Sequence, residues 1–360
     1  MLRVAGREVD VVVVGAGGTG SATAWRLAED GADVLVLEAR TADRAPAAPW
    51  SASVFQVAGG ELAGGDLALR CLPEWRELER DTSSRVLELT GGVAHGSTSA
   101  LDLLAWTADA VGSPGRWIPA AEAAERWPGI RYGERVFTHP LTGRLDPGAA
   151  VRALRRAAVR AGAVLRYGEP VRRIEVRGPD AVEVRTGSRT YRARRAVVAA
   201  GPWTGELAGG LLRVPVPRVR REQTMRFPVA REEWPVFLHA LDWTTRAVGG
   251  YPGDVRGIPS PGGIGTGFLV PGAGEADVVT GSARLRALRR YAQEWLPGTD
   301  PDTAMPAEGR YAVTSGFVLD RAGPVVAGTG FSARRFQYLP EIGRLLAELT
   351  TTGERRLATP

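Results

Sequence analysis

The sequence predicts an α/β fold: strand–helix alternation assembled from separated segments of the chain, with a β-rich (α+β) unit inserted between them. Three observations carry this. Residues Glu8 to Val14 form an apolar, β-branched run of the kind buried on both faces of a parallel sheet. Glycines follow it, then a helical stretch from about Ser21 to Asp30, a stop at Gly31 and a second apolar run, Val34 to Leu37, which together make a β–α–β start. Farther on, the helix–strand pattern is interrupted twice by β-rich stretches, as expected when one domain is inserted into another.

The elements read in order as follows. Residues from about Thr41 to Asp66, rich in Pro, Gly and Ala, are expected to form a long loop, suited by length and glycine content to act as a lid. LALRCLPEWREL reads as an amphipathic helix holding Cys71, and Gly148 to Ala161 as another helix. Val164 to Val198 alternates in the manner of a β-meander and ends in an apolar strand, Ala196 to Ala200. The Pro-, Gly- and aromatic-rich stretch from about Pro215 to Pro271 suits irregular antiparallel strands. A helix (Arg284 to Glu294), a strand region (Arg310 to Ala327) and a closing helix (Pro340 to Leu349) complete the reading.

Composition sets limits on function. A chain of 360 residues usually divides into two or so compact units. Hydrophobic residues at 44% supply a sizeable interior, and charged residues at 24% are ordinary for a soluble protein. No apolar run approaches the roughly 20 residues of a membrane helix. The first residues lack a signal-peptide cleavage region, so a cytoplasmic location without a membrane partner is expected. Cys71 is alone, which excludes an internal disulfide and favours a buried structural thiol. His95, His139 and His239 are scattered without ligand spacing, so no metal site is expected.

The net charge is +6, and every basic residue is arginine; the chain contains no lysine. Arg152, Arg155, Arg156 and Arg160 recur at helical spacing and read as a solvated face. Without aromatic residues interleaved among the charges, nucleic-acid binding is not expected.

The residues Gly15-Ala16-Gly17-Gly18-Thr19-Gly20 spell G-x-G-x-x-G between a buried strand and a helix, and Glu38 ends the next strand about 20 residues on. Each part has a task in binding a dinucleotide. Gly15 permits a tight turn, Gly17 lets the backbone approach the pyrophosphate, and Gly20 allows close helix–strand packing. The pyrophosphate charge meets the helix N-terminus, and Glu38 accepts hydrogen bonds from the ribose hydroxyls. The fingerprint is shared by FAD and NAD proteins, and the rest of the chain decides between them.

That remainder resembles the D-amino-acid oxidase superfamily of FAD-dependent oxidoreductases, in the branch of sarcosine oxidase and N-methyl amino-acid oxidases. The likeness covers most of the chain in the same order. Besides the fingerprint, it rests on LALRCLPEWRELERDTSSRVLELTGGVAHG, ERWPGI, GRLDPGAAVRALRRAAVRAGA, RARRAVVAAGPWTGEL and VVAGTGFSARRFQYLPEIGRLLAEL. The last segment is similar to a strand, glycine turn and C-terminal helix whose N-terminus faces the flavin ring and stabilises negative charge there.

The resemblance implies a discontinuous FAD-binding Rossmann-like domain (residues 1–80, 143–215 and 310–360) and a substrate domain (81–142 and 216–309) over the flavin face. It implies cofactor contacts at Gly15, Gly17, Gly18, Thr19, Gly20, Glu38, Ala39 and Arg40. Ser51, Ala52, Val171, Ala200, Gly201, Trp203 and Tyr311 join them, Tyr311 near the dimethylbenzene edge. The glycine turn adds Gly330, Phe331, Ser332, Ala333, Arg334, Arg335, Phe336 and Gln337.

Departures from the family pattern fall in the active site. The region matching the family's flavin-tethering cysteine reads Gly309-Arg310-Tyr311-Ala312-Val313-Thr314, so FAD is expected to be non-covalent. The lysine that oxygen-reducing members hold over the flavin, in a strand resembling Pro259 to Pro271, corresponds to Gly267; Arg256, Arg334 and Arg335 are the available cations. Ser51 to Gln56 occupies the stretch of a substrate-carboxylate arginine, and Gln337 the place of a second lysine.

Arg256 and Gln337 are accordingly the candidates for orienting the substrate. The expected activity is oxidation of a C–N bond in a small-molecule amine, apolar or larger than a simple amino acid, within a bacterial biosynthetic pathway. Oxygen or an electron carrier is the acceptor, and the protein is a monomer or homodimer. A dehydrogenase with a non-oxygen acceptor, a nicotinamide enzyme and a non-catalytic flavin-binding subunit stay open as alternatives.

Overall fold

The computed structural model describes residues 8–42, 53–59, 62–215, 218–229, 233–269, 281–313, 318–331 and 333–353, with the backbone alone at 218–221, 243, 310–313 and 333–334. Strand β1 (Val9–Val14) leads through the glycine motif into helix α1 (Gly18–Glu29), and β2 (Val34–Glu38) follows. Helix α1 starts at Gly18 rather than Ser21, so the second half of the motif forms its first turn.

The expected loop from Thr41 to Asp66 is shorter than its composition indicates. It contains a strand, β3 (Val54–Gln56), and helix α2 (Leu62–Thr82) already begins within it. The glycine at 65 serves packing: a Cβ there would lie 2.9 Å from the Val57 carbonyl oxygen and 3.2 Å from the Val111 side chain. Residues 43–52 lie outside the described residues.

Next come β4 (Leu87–Glu88), β5 (Gly92–Gly96), α3 (Thr98–Ala110), β6 (Arg116–Pro119), α4 (Ala120–Arg126), β7 (Arg135–His139) and β8 (Thr142–Leu145). Helix α5 (Pro147–Arg160) has proline in its first turn and is capped by Asp146, whose carboxylate accepts from the Ala149 N–H at 2.8 Å. Strands β9 (Val164–Tyr167), β10 (Val171–Gly178), β11 (Ala181–Thr186) and β12 (Thr190–Val198) precede the short helix α6 (Thr204–Ala208).

The aromatic- and Gly-rich stretch supplies β13 (Arg218–Pro228), β14 (Val236–Ala240), α7 (Trp243–Gly249), β15 (Asp254–Ser260) and β16 (Gly263–Leu269). Helix α8 (Ser282–Trp295), strands β17 (Met305–Val313), β18 (Val318–Ala322) and β19 (Val325–Thr329), and helix α9 (Leu339–Thr352) complete the molecule.

The first sheet has a parallel centre, β19-β12-β1-β2-β9, with Val12 of β1 opposite both Leu35 and Ala196, and Val197 opposite Val326. Only β10 to β12 form a meander. β9 departs from that expectation because α5 carries the chain back over the sheet, so β9 adds parallel to β2. The two ends of β12 have different neighbours, antiparallel β11 along its first half and parallel β19 along its second.

The second sheet runs β17-β13-β16-β15-β14-β5-β7-β6 and is antiparallel except for the β5–β14 pair. β17 pairs with β13 along its length, so position 310, a domain boundary in the sequence reading, falls inside a strand of this sheet. A small third sheet, β3-β8-β4, lies between these two in sequence.

Helices α1, α2, α5 and α9 share one core with the first sheet, centred on Trp25, Trp75, Leu154 and Leu346. Cys71 lies within this core, fully buried, and burial pushes its thiol pKa up. Helix α8 covers one face of the second sheet, where Leu288 and Tyr291 pack with Phe237, Val255, Ile264 and Phe268. Among the described residues no helix is long and apolar enough to cross a membrane.

Candidate functional site

The loops that follow β1, β12 and β19 gather at the carboxyl ends of adjacent parallel strands, where open α/β sheets bind ligands. Gly15 has φ +100°, and a Cβ on it would lie 2.6 Å from the Ala199 carbonyl oxygen. At Gly20 a Cβ would stand 1.9 Å from the Gly15 carbonyl oxygen, and at Gly18 one would meet Leu339 at 2.5 Å. Gly15 and Gly20 are demanded by the backbone packed against them, whereas Gly18 meets only the movable end of the Leu339 side chain. Gly17 differs: it is exposed, and a Cβ there meets nothing within 4 Å. It borders open space at the head of α1, whose N-cap makes no side-chain hydrogen bond. A diphosphate fits this cradle, since the first-turn N–H groups have no intrahelical acceptors.

Glu38 is held for the adjoining task. One carboxylate oxygen accepts from the Ala16 N–H at 2.8 Å and the other from the Arg40 N–H at 2.9 Å; Ala39 and Arg40 are exposed beside it. The Ala16 carbonyl is fixed from behind by Arg155, whose Nε and Nη2 donate to it at 2.8 and 2.6 Å, and by the Ser21 hydroxyl at 3.0 Å. Arg155 therefore leaves the solvated face that its spacing implied. It sits half-buried beside the glycine loop, because it follows Leu154 on the inward side of α5. Sequence reasoning missed this residue.

After β12, Gly201 has φ +57°, and its carbonyl accepts from the Thr329 hydroxyl at 3.2 Å, linking this loop to the end of β19. Ala200 and Val171 pack on the same apolar cluster, while Trp203 is exposed. Gly330 turns the chain with φ +84° into a short 3-10 helix over Ala333–Tyr338, which carries Arg334, Arg335, Phe336 and Gln337. Phe331 and Phe336 lean on the first core, and Phe336 stacks on Trp75 with ring centroids 6.5 Å apart. Tyr311 is placed by its backbone, opposite Arg220. Ser51, Ala52 and Ser332 lie outside the described residues.

The two candidates for orienting a substrate come together through a third residue. Arg256, nearly buried on β15, donates from Nη2 to the Gln56 side-chain oxygen at 3.1 Å. The Gln56 N–H in turn donates to the Gln337 side-chain oxygen at 2.8 Å, and the Gln337 main-chain oxygen accepts from Trp75 Nε1 at 2.8 Å. Gln337 is thereby locked, buried, between β3 and α2. Gln56 was not among the sequence candidates, and no motif marks it.

The described part of the stretch Pro259 to Pro271, up to Leu269, is a hairpin rather than one strand: β15 turns at positions 261 and 262 into β16, with Gly262 at φ +69°. Ile264 and Phe268 face the core under α8, so alternation turns Gly263, Gly265 and Gly267 to the opposite face. There Gly267, Arg256, Leu238, Ala94 and Phe137 form a row of directly opposed residues across five strands. A narrow cavity opens beside this row. Its empty space, part of it open to solvent, is about 370 Å³, and Gln56, Ala94, Leu104, His139, Leu238 and Arg256 line it.

Two of the three histidines scattered in sequence meet in space, and His139 stands apart from them beside Ser113. His95 and His239 stack under α8 with centroids 4.0 Å apart, and His239 Nδ1 lies 3.1 Å from the Tyr291 hydroxyl. Burial holds His239 down to about 4 and His95 well below its ordinary value, so both are neutral near pH 7. Burial also lowers His139, against an opposing hydrogen bond to Ser113. Among the described residues no three His, Cys, Asp or Glu side chains gather as metal ligands.

Comparison with known proteins places these features. The family model described as "FAD dependent oxidoreductase" matches residues 10–349. Monomeric sarcosine oxidase from Bacillus sp. (strain B-0618) is 27% identical over 96% of this chain and 93% of its own length. Among solved structures, the open form of NikD, an unusual amino acid oxidase essential for nikkomycin biosynthesis, superposes with a TM-score of 0.77 at 26% identity, covering 98% of this chain and 96% of that one. L-proline dehydrogenase from P. horikoshii shares the fold, with a TM-score of 0.81 at 20% identity over 98% of this chain and 96% of that one. The glycine cradle, the fixed carboxylate at its side and a family match spanning nearly the whole chain agree, and the chain belongs to the FAD dependent oxidoreductase family.

Proposed function

We propose that this enzyme oxidises a C–N bond of an amine or amino-acid-like substrate, with its FAD held non-covalently. The observation that carries the reading is the Arg256–Gln56–Gln337 chain of hydrogen bonds, which ties the open face of the second sheet to the turn after β19. It joins a fixed cation at the wall of a small cavity, through Gln56, to Gln337 in the turn after β19. The similarity to a sarcosine oxidase and to NikD supports the amine chemistry, and NikD also supports a place in bacterial specialised metabolism.

FAD, when bound, would supply the two-electron chemistry, as the acceptor of hydride from the carbon beside the amine nitrogen. The chain supplies position. Gly15 to Gly20, Glu38 and Arg155 hold the dinucleotide end. Arg256 orients the substrate on the sheet face, Gln56 sets the direction of that guanidinium, and Gln337 fixes Gln56. Orientation of this kind accounts for much of an enzyme's rate when no dedicated base is needed. Non-covalent binding is supported by the one cysteine, which is buried on the inward face of α2 rather than placed at a cofactor loop. The division of labour follows the sheets: the parallel one with its helices for FAD, the antiparallel one for substrate.

A second reading, a dehydrogenase that passes electrons to an acceptor other than oxygen, is favoured by the absence of lysine and by glycine at position 267, opposite Arg256.

The test is the visible spectrum of the purified protein, repeated on the supernatant after acid precipitation, then anaerobic bleaching by a panel of secondary and primary amines. Flavin released into the supernatant and bleached in the protein by an amine supports the proposal. Slow return of colour in air selects the dehydrogenase. A flavin that no amine reduces overturns amine oxidation and points to a non-catalytic flavin-binding role. A protein that neither holds nor takes up FAD overturns the cofactor assignment.

A further inference from the structure

Thr329 ends β19 and is 6% exposed. Alternate residues of this strand, Val325 and Ala327, belong to the apolar cluster on one face of the parallel sheet, and Thr329 continues that face two residues on. The opposite face packs on α9, where a Cβ on Gly328 would lie 2.5 Å from Leu346. A valine has the shape of Thr329 and would suit its place, so packing alone does not call for the hydroxyl.

The hydroxyl has its partner across the strands. β12 and β19 pair in parallel up to Val198 and Ala327, a register that sets Thr329 level with Ala200. One residue farther, the Gly201 carbonyl accepts from Thr329 Oγ1 at 3.2 Å. Gly201 has φ +57° and starts the 3-10 turn Gly201–Trp203. Glycine reaches such a conformation without steric cost and leaves it as readily, so its backbone has to be held from outside. The root of this loop is already joined to β1, where the Ala199 N–H donates to the Val14 carbonyl at 2.9 Å. Thr329 carries the connection on to the turn at Gly330, which itself has φ +84°.

We propose that Thr329 is a positioning residue for FAD: by holding the Gly201 carbonyl it fixes the loop after β12 against the Gly330 turn, so that the two meet the cofactor as one surface. The inference rests on the reading that both loops contact FAD. Thr329 acts through Gly201 rather than by touching the cofactor.

The experiment uses the FAD-loaded protein and two variants. Thr329→Val keeps the shape and loses the hydroxyl, and Thr329→Ser keeps the hydroxyl and loses the methyl. Flavin fluorescence on dilution gives the affinity, visible circular dichroism reports the setting of the bound flavin, and urea unfolding gives the stability. Thr329→Val is expected to hold FAD about fivefold more weakly, as the loss of one hydrogen bond implies, with altered visible dichroism. Thr329→Ser stays close to wild type in both. A role in packing gives the reverse order, with Thr329→Ser the weaker variant, and overturns the proposal. So does a Thr329→Val protein that loses stability while its affinity and flavin bands stay unchanged. Wild-type binding of FAD with an indifferent Thr329→Val removes this proposal alone, whereas a wild-type protein that neither holds nor takes up FAD removes the cofactor reading and this proposal together.

Discussion

Arg155 spends its guanidinium on a single carbonyl, that of Ala16 inside the glycine loop. A charged hydrogen bond of this kind contributes about 1.5–3 kcal/mol, and here it steadies the backbone of the glycine loop. Arg155→Ala is expected to weaken FAD binding by about tenfold or more, read by flavin fluorescence titration, with the far-ultraviolet spectrum unchanged. The glycines separate by role in the same measurement. Gly17→Ala keeps the fold, since nothing lies within 4 Å of the added carbon, and weakens FAD because the methyl enters the ligand's space. Gly20→Ala drives a methyl to 1.9 Å from the Gly15 carbonyl oxygen and is expected to lose the folded protein itself, seen as insoluble or strongly destabilised material. The glycine motif and Glu38 were legible because their spacing is imposed by a short, local strand–turn–helix. Arg155 was not, because helical spacing alone gives Arg152, Arg155, Arg156 and Arg160 the same surface reading, and only the packed neighbour decides which one turns inward. The role of Gln56, which ends the stretch that replaces a substrate arginine, was not legible for a different reason: its partners lie 200 and 281 residues away, where no local pattern reaches.

Helices α1 and α9 cross where Ala22 meets Gly343, and a Cβ on that glycine would lie 2.6 Å from the Ala22 backbone. Gly343→Ala is expected to push the two helices apart at a cost of about 1–3 kcal/mol, measured as a lower midpoint in thermal or urea unfolding of the FAD-free protein. Because α1 opens at the cradle, FAD affinity should fall with it. Most helices and the central strands were legible from apolar periodicity. The errors came where composition and packing disagree. The glycines after position 58 read as loop, yet α2 needs Gly65 to lie close against Val57. β9 has the alternation of a meander strand, and its parallel pairing with β2 follows from the path of α5 rather than from its own residues. The hairpin of β15 and β16 falls in the Pro- and Gly-rich stretch read as antiparallel strands, and its alternate glycines leave the sheet bare beside Arg256.

For the molecule as a whole, the stacked pair His95 and His239 ties stability to pH. In the unfolded chain a histidine takes up a proton near pH 6.5, whereas burial delays uptake by folded His239 to about 4. The unfolded state therefore binds more protons between those values, and stability present above about pH 6.5 is lost as the pH falls toward 4. His239 alone accounts for about 3 kcal/mol of that loss, one pKa unit being about 1.4 kcal/mol. Urea unfolding at pH 7.5 and pH 4.5 measures it, and His239→Phe should flatten the slope. The order of strands in the parallel sheet has a consequence for synthesis. The cradle's strands are β1, at Val9–Val14, β12, at Thr190–Val198, and β19, at Val325–Thr329, so the last of them is made long after the first and cannot pair until then. Flavin capture is thus a late event in the life of a nascent chain, and chains arrested before position 325 should emerge colourless.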